Sequence, residues 1–167
     1  GRLASVYEHA GAYDRQIVCL REAQQQGSGG ASEWIDLAMA LALRGHDVSG
    51  AKQALAAAKE MELPVIAKAF VAWCEGLIAL EENDFLRAKI ELRAALESTH
   101  SIGNQLMVGV RALIKAFLCI ACAHCGEGNE AQKLWTECSA LLVARKETAL
   151  TQRCRAALAR FTTQNSA

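Results

Sequence analysis

Three cysteines and a histidine are gathered in the segment FLCIACAHCGEG, which spans residues 117–128. Thiolates and imidazole nitrogens are the ligands that zinc prefers in proteins, and sets of thiolates also hold iron–sulfur clusters. The residues concerned are Cys119, Cys122, His124 and Cys125. The first question of chemistry is therefore whether this segment binds a metal ion.

The spacing of the cysteines disfavours such a site. Residues three apart are neighbours on a helix, but each step of three turns by about 60° around the axis, so the three sulfur atoms diverge. A tetrahedral set also needs ligands from a second segment, and no second CxxC pair follows. We predict structural packing for Cys119 and no bound cofactor. Cys122, His124 and Cys125 remain a minor candidate for metal or redox chemistry.

Patterns of other catalytic sites are missing from the sequence. It contains no H-E-x-x-H motif, and the GSGG segment at residues 27–30 lacks the lysine that follows in a phosphate-binding loop. The histidines lie in four separate parts of the chain, at His9, His46, His100 and His124. We predict that the chain is not an enzyme.

The composition favours a helical protein. With 167 residues the chain is long enough for one domain of ordinary size. Apolar residues make up 52% of it and aromatic residues only 5%, and Pro64 is its one proline. Alanine and leucine supply most of the apolar content, and they lose little on entering a helix, whereas proline interrupts one.

Charge and cysteine content restrict the partners and the compartment. Lys plus Arg and Asp plus Glu number 18 each, so no net field recruits nucleic acid or an anionic membrane. The most apolar segment, residues 112–123, contains Lys115 and is shorter than the roughly 20 residues of a membrane-spanning helix. Seven cysteines without framework spacing or a secretory pattern predict free thiols in the cytoplasm. Because the chain opens with GRLAS, we expect a fragment of a larger protein.

Four segments of the chain share one pattern, in which a helix, a short polar break and a second helix follow each other. They are LASVYEHAGAYDRQIVCLREA, LAMALALRGHDVSGAKQALAAA, EGLIALEENDFLRAKIELRAAL and LCIACAHCGEGNEAQKLWTECS. In each, a small residue of the first helix precedes the opening residue of the second by 12 or 13 positions (4 to 16, 38 to 51, 76 to 88, 119 to 131). The small residues are Ala4, Ala38, Gly76 and Cys119.

A small residue at a fixed position has a mechanical purpose. It lets two helices approach where they cross, while a larger side chain nearby fills the remaining space. A helix pair alone leaves an apolar face uncovered, and the next pair covers it, so such units occur in series. This register places Cys119 at a helix crossing and supports its structural role.

The second copy is similar to the tetratricopeptide repeat, whose signature reads W-x2-L-G-x2-Y, then A-x3-F, then P. It matches at Trp34, Leu37, Ala38, Leu41, Ala51, Leu55 and Pro64, with Ala38, Leu41 and Leu55 departing in residue type. The longer later repeats are similar to the arrays of large bacterial transcription activators and signalling ATPases. The resemblance implies an all-α, right-handed superhelix of antiparallel helix pairs. It implies one domain over residues 1–167, with repeats at about 1–30, 31–66, 67–104 and 105–146 and a terminal helix at 147–163.

In this family the outward residues of the first helices line a concave groove that receives partners. The resemblance places there Ile35, Met39, Phe70, Trp73, Leu77, Leu80, Leu113 and Ile120. An exposed apolar strip of this size is typical of a binding surface. We expect it to bind an amphipathic helix or peptide of a partner protein, with Phe70 and Trp73 as anchors.

The predicted function is therefore a non-catalytic protein–protein interaction module. It would serve as a regulatory or scaffold part of a larger cytoplasmic protein, such as a transcription regulator. A self-association module is the alternative, since a second copy or another helix of the same protein can occupy the groove. A cysteine-based metal or redox module is a third.

Overall fold

The computed structural model describes residues 12–27, 29–44, 47–102 and 106–165. The described part of the chain consists of eight α-helices, without a β-strand. They are α1 (Ala12–Gln25), α2 (Ala31–Arg44), α3 (Val48–Lys59), α4 (Val65–Glu81), α5 (Phe85–His100), α6 (Leu106–His124), α7 (Gly128–Ala144) and α8 (Thr148–Asn165). The prediction of an all-α chain is confirmed. The first helix of the predicted first repeat falls in residues 1–11 and lies outside the described residues.

Helices that follow each other in the chain form the closest pairs: α2 with α3, α4 with α5, and α6 with α7. Within the α6–α7 pair, Lys115 of α6 pairs with Glu137 of α7 at 3.0 Å. Between the second and third pairs, Phe85 at the start of α5 stacks on His124 at the end of α6, so these two helices run in opposite directions. The pairs also pack on each other, through α2 with α4 and α5 with α6, and α8 packs on both α6 and α7.

The helices of the α4–α5 pair cross at Gly76. A Cβ atom added to Gly76 would lie 2.6 Å from Cγ of Leu92, so only glycine fits at this crossing. Ala38 of α2 and Cys119 of α6, the small residues at the same position of their repeats, are fully buried. The sequence register therefore identified residues that lie in the interior of the helix packing.

Tight turns of one geometry join α4 to α5, α6 to α7, and α7 to α8. Each has one residue in the left-handed region, namely Asn83 at φ 57°, Gly126 at φ 80° and Lys146 at φ 58°. The backbone N–H of the next residue reaches back to a carbonyl of the helix it leaves, as Asp84 does to Ala79 at 2.9 Å. Asp84 then caps α5, its carboxylate accepting from the N–H of Arg87.

Helix α6 is a central element of the core. Its segment Met107–His124 is long and apolar enough to cross a membrane by length and composition, and it is the one such segment among the described helices. Of this segment 78% is buried inside the protein, as in a core helix enclosed by its neighbours. Helices α5, α7 and α8 provide that enclosure.

The Gly76 crossing predicts a coupled effect on stability. Replacing Gly76 with Ala should lower the free energy of unfolding by about 1–3 kcal/mol, because the new methyl group overpacks against Leu92. Leu92→Ala alone should cost about 2–5 kcal/mol, since Leu92 is fully buried and a cavity remains. In the double variant the new methyl group occupies part of that cavity. The loss of stability of the double variant should therefore be smaller than the sum of the losses of the two single variants. Urea unfolding measures all three.

Gly29 offers the control for this cycle. A Cβ atom there would meet no atom closer than 3.5 Å, so Gly29→Ala should change stability by less than about 0.5 kcal/mol. Strict additivity of Gly76→Ala and Leu92→Ala would show that the two residues do not share the crossing.

Candidate functional site

The eight residues predicted to line a groove are buried. Phe70 has the largest exposed fraction, 7%, and Trp73 and Met39 have 0%. The full set is Ile35, Met39, Phe70, Trp73, Leu77, Leu80, Leu113 and Ile120. The expectation that these side chains form an exposed apolar strip is therefore wrong. Their role in partner binding stays a prediction, but the structure does not give them the accessibility that it requires.

Helix packing explains this burial. The thiol of Cys154 on α8 donates to the carbonyl oxygen of Ala116 at 3.3 Å, midway along α6 between Leu113 and Ile120. Helix α8 thus packs on the part of α6 that the family register assigns to the groove. In the earlier repeats, the first helices α2 and α4 pack on each other. The rings of Phe70 and Trp73 contact each other, with centroids 6.0 Å apart at 34°.

The candidate metal ligands are not brought together. Cys122 is fully buried in α6, and burial raises the pKa of its thiol to about 11 although the guanidinium of Arg93 lies 4.0 Å from its sulfur. The exposed ring of His124 stacks on Phe85 with centroids 4.0 Å apart. Burial lowers the pKa of His124, and nearby arginines lower it further. Cys125 is half-buried in the turn after α6. No group of three potential ligands in the described ranges has an arrangement that could hold a metal ion.

The remaining cysteines of the core pack as small apolar residues. Cys74, Cys119, Cys138 and Cys154 are fully buried, and burial raises the pKa of Cys74 and of Cys138 to about 12. A thiol with a raised pKa stays protonated and is a poor nucleophile and a poor metal ligand. The predicted packing role of Cys119 is confirmed by its complete burial.

Sequence reasoning missed an apolar pair on the outer side of α5. Leu86 is 60% exposed and Ile90 is 58% exposed, and the two lie one turn apart on the same face of the helix. We call these two residues the α5 patch. Single exposed apolar side chains are common on protein surfaces, but Leu86 and Ile90 are adjacent, so the α5 patch is a candidate contact surface.

The repeat register supplies a standard for comparison. When the second helices are aligned at Ala51, Ala88 and Ala131, the α3 equivalents of the patch are Ser49 and Gln53 and the α7 equivalents are Asn129 and Lys133. All four of these residues are polar and exposed. Helix α1 has an exposed apolar residue, Val18, at one of the two positions, and Asp14 at the other. This alignment was the signal in the sequence that could have identified the patch.

Other exposed apolar residues lie at helix ends. Val65, in the first turn of α4, is 76% exposed, and Val108, in the first turn of α6, is 52% exposed. These two residues occupy equivalent positions of successive repeats, eleven residues before Gly76 and before Cys119 (76 − 65 and 119 − 108). An apolar residue recurs at this position, whereas Leu86 has polar equivalents in α1, α3 and α7 and Ile90 has an apolar equivalent only in α1.

Two cavities flank α5. The first has a volume of about 180 Å³ and opens between α3 and α5; we call it the α3–α5 cavity. It is lined by Lys52, Leu55, Ala56, Lys59, Glu75, Ile78 and Arg87. The second has about 440 Å³ and is lined by Arg93, Gly126, Glu127, Gly128, Asn129, Glu130 and Phe161.

An ion-pair network lies beside the cavity next to α7. Glu127 accepts from Lys89 and lies 3.2 Å from Arg93, and the hydrogen bond from Lys89 lowers the pKa of the Glu127 carboxyl. These contacts fix the turn between α6 and α7 to α5. The network is structural, since each charged group in it has its partner within the protein.

No protein-family model, curated protein or solved structure matches this chain.

Burial predicts that Trp73 stabilises the fold. Trp73→Ala should lower the free energy of unfolding by about 3–5 kcal/mol, because it removes a fully buried aromatic side chain from α4. Leu86→Ala, at a position that is 60% exposed, is the control and should change stability by less than about 0.5 kcal/mol. Urea unfolding followed by circular dichroism measures both. Unchanged stability of the Trp73 variant would return this residue to the candidate binding surface.

Thiol reactivity should follow the burial of the cysteines. In the folded protein an alkylating reagent should modify exposed Cys19 first and half-buried Cys125 more slowly. Cys74, Cys119, Cys122, Cys138 and Cys154 should react only after the addition of urea. Peptide mass spectrometry after timed labelling identifies the modified residues. Rapid labelling of Cys138 in the folded state would contradict the packing of α7 described above.

Proposed function

We propose that this chain is a non-catalytic protein-binding module built from tetratricopeptide-like helix pairs. Three features support the repeat architecture: the small residues buried at equivalent positions, the close crossing of Gly76 and Leu92, and the turn geometry shared by successive helices. In this proposal the module is a scaffold or regulatory part of a larger intracellular protein, such as a transcription regulator. The partner is a protein segment that carries an apolar face.

The α5 patch is the observation that supports this function. Leu86 and Ile90 expose apolar surface at positions where α3 and α7 carry polar residues. The repeat fold is therefore compatible with polar residues there, and the apolar pair adds nothing to the core. Removing such surface from water on contact with a partner stabilises the complex, at roughly 25 cal/mol per Å² of apolar area.

The contact surface in this proposal differs from the groove that the family resemblance implies. The first helices carry the groove positions, and those are enclosed by other helices. The second helices keep one side open to solvent, which is where the α5 patch lies. A partner can approach α5 without any rearrangement of the core, which keeps the cost of binding low.

The α3 sequence provides a matched variant for the test. Leu86→Ser together with Ile90→Gln gives α5 the residues that α3 carries at the equivalent positions. The exposure of both residues predicts that the double variant keeps its stability within about 0.5 kcal/mol. A peptide library displayed on phage is selected against the wild-type protein, and each selected peptide is then titrated against both proteins.

We expect the selected peptides to bind the wild-type protein about tenfold or more tightly than the double variant, a difference of about 1.4 kcal/mol. Val143→Ser, at an exposed apolar residue on α7, is the control and should bind as the wild type does. Peptides that bind the double variant equally well would refute the α5 patch as the binding surface. Light scattering tests the alternative function: a mass that rises with concentration in the wild type only would indicate self-association.

A further inference from the structure

The side of the α5 patch that faces α3 carries an excess of positive charge. Lys52, Lys59 and Arg87 line the α3–α5 cavity together with Glu75, and Glu82 pairs with Lys52, so three basic residues face two acidic ones. The whole chain has equal numbers of acidic and basic residues, so this excess is local. Such a local field acts over about one Debye length, roughly 8 Å at physiological ionic strength, and thus reaches a ligand on the neighbouring patch.

The internal ion pairs leave part of this positive charge available. Lys59 pairs with Glu75, and Lys52 pairs with Glu82 at 2.7 Å. The guanidinium of Arg87 forms no ion pair with the described residues, and the Arg87 side chain is exposed. Arg87 adjoins Leu86 in the chain and lies one turn of α5 from Ile90. A ligand on the patch is therefore beside an accessible cation.

The floor of the α3–α5 cavity is apolar. Leu55, Ala56 and Ile78 form it, with a volume of about 180 Å³ between the basic rim residues. A space of this size accommodates an aliphatic side chain that projects from a ligand on the patch. The combination of an apolar floor, a basic rim and an adjacent apolar ridge is complementary to one kind of segment, apolar on one face and acidic along its border.

The other flank of the patch lacks this excess. Glu127 and Glu130 line the cavity beside α7 together with Arg93, and Lys89 pairs with Glu127, so two acidic residues face two basic ones. The same ligand would meet no net positive charge there. The two flanks together define an orientation, with the acidic border of the ligand toward α3.

We infer that the α5 patch and the α3–α5 cavity bind an acidic amphipathic helix, whose apolar face covers Leu86 and Ile90 and whose carboxylates lie beside Arg87, on the side of the patch toward α3. This inference rests on the proposed protein-binding function and adds the chemistry of the partner. Leu86 and Ile90 are four residues apart, and side chains four apart on a partner helix have the matching spacing of one turn.

Two synthetic peptides test the charge requirement. Each has about 18 residues, five helical turns, and the same leucine and alanine face. One carries glutamate along one border of that face, and its twin carries lysine at the same positions. Fluorescence anisotropy of labelled peptides with the full chain measures the dissociation constants at low and at physiological salt.

The glutamate peptide should bind about tenfold or more tightly than its lysine twin at low salt, and the preference should decrease as salt screens the charges. Arg87→Glu should remove most of this preference, and Leu86→Ser with Ile90→Gln should weaken both peptides. Arg155→Glu, an exposed arginine on α8, is the matched control and should leave the preference unchanged. Circular dichroism verifies that each variant is folded.

The outcomes separate this inference from the function on which it rests. Equal binding of the two peptides, still dependent on Leu86 and Ile90, would overturn the acidic partner and leave the protein-binding function in place. A failure of the glutamate peptide to bind would also overturn the inference, while the phage selection decides the function independently. If light scattering shows self-association that the double variant loses, a second copy of the chain occupies the patch and the inference is overturned.

Discussion

The close crossing of two helices at a residue without a side chain is the constraint on which this architecture depends. At Gly76 the neighbouring helix is so near that a Cβ atom would lie 2.6 Å from Leu92. Equivalent positions in α2 and α6 are filled by Ala38 and Cys119, both fully buried. Small residues allow the first helices to be packed on several sides at once. The same closeness places their larger side chains, such as Trp73, in the interior.

Much of the fold could be predicted from the sequence, because the geometry of helix crossings determines the spacing of the small residues. The helical class and the burial of Cys119 follow from the residue types and their spacing, and the structure confirms both. The burial of the predicted groove residues could not be predicted in this way. A register states which residues share a helix face, but it does not state which element covers that face. Helix α8, whose Cys154 reaches the Ala116 carbonyl, covers the relevant face of α6.

The cysteines illustrate that the position of a residue in the helix packing is a better guide to its role than a short sequence motif. Read as a motif, Cys119, Cys122 and Cys125 have the spacing of metal ligands. Read in the repeat register, Cys119 replaces an alanine or glycine at a helix crossing, where a small apolar side chain is required. Burial raises the pKa values of the Cys122 and Cys138 thiols and keeps them protonated, so packing suppresses the reactivity of these two residues.

An exposed apolar residue in a helical array has two explanations, and position in the array distinguishes them. Stacking on another helix of the same chain is one explanation, because successive helix pairs in an array cover each other's apolar faces. Helix α5 is internal and packs on α4 and α6, so its stacking contacts are already made. Its two nearest counterparts, α3 and α7, are polar at the patch positions. Stacking therefore does not account for Leu86 and Ile90, and contact with another molecule is the role that we propose for them.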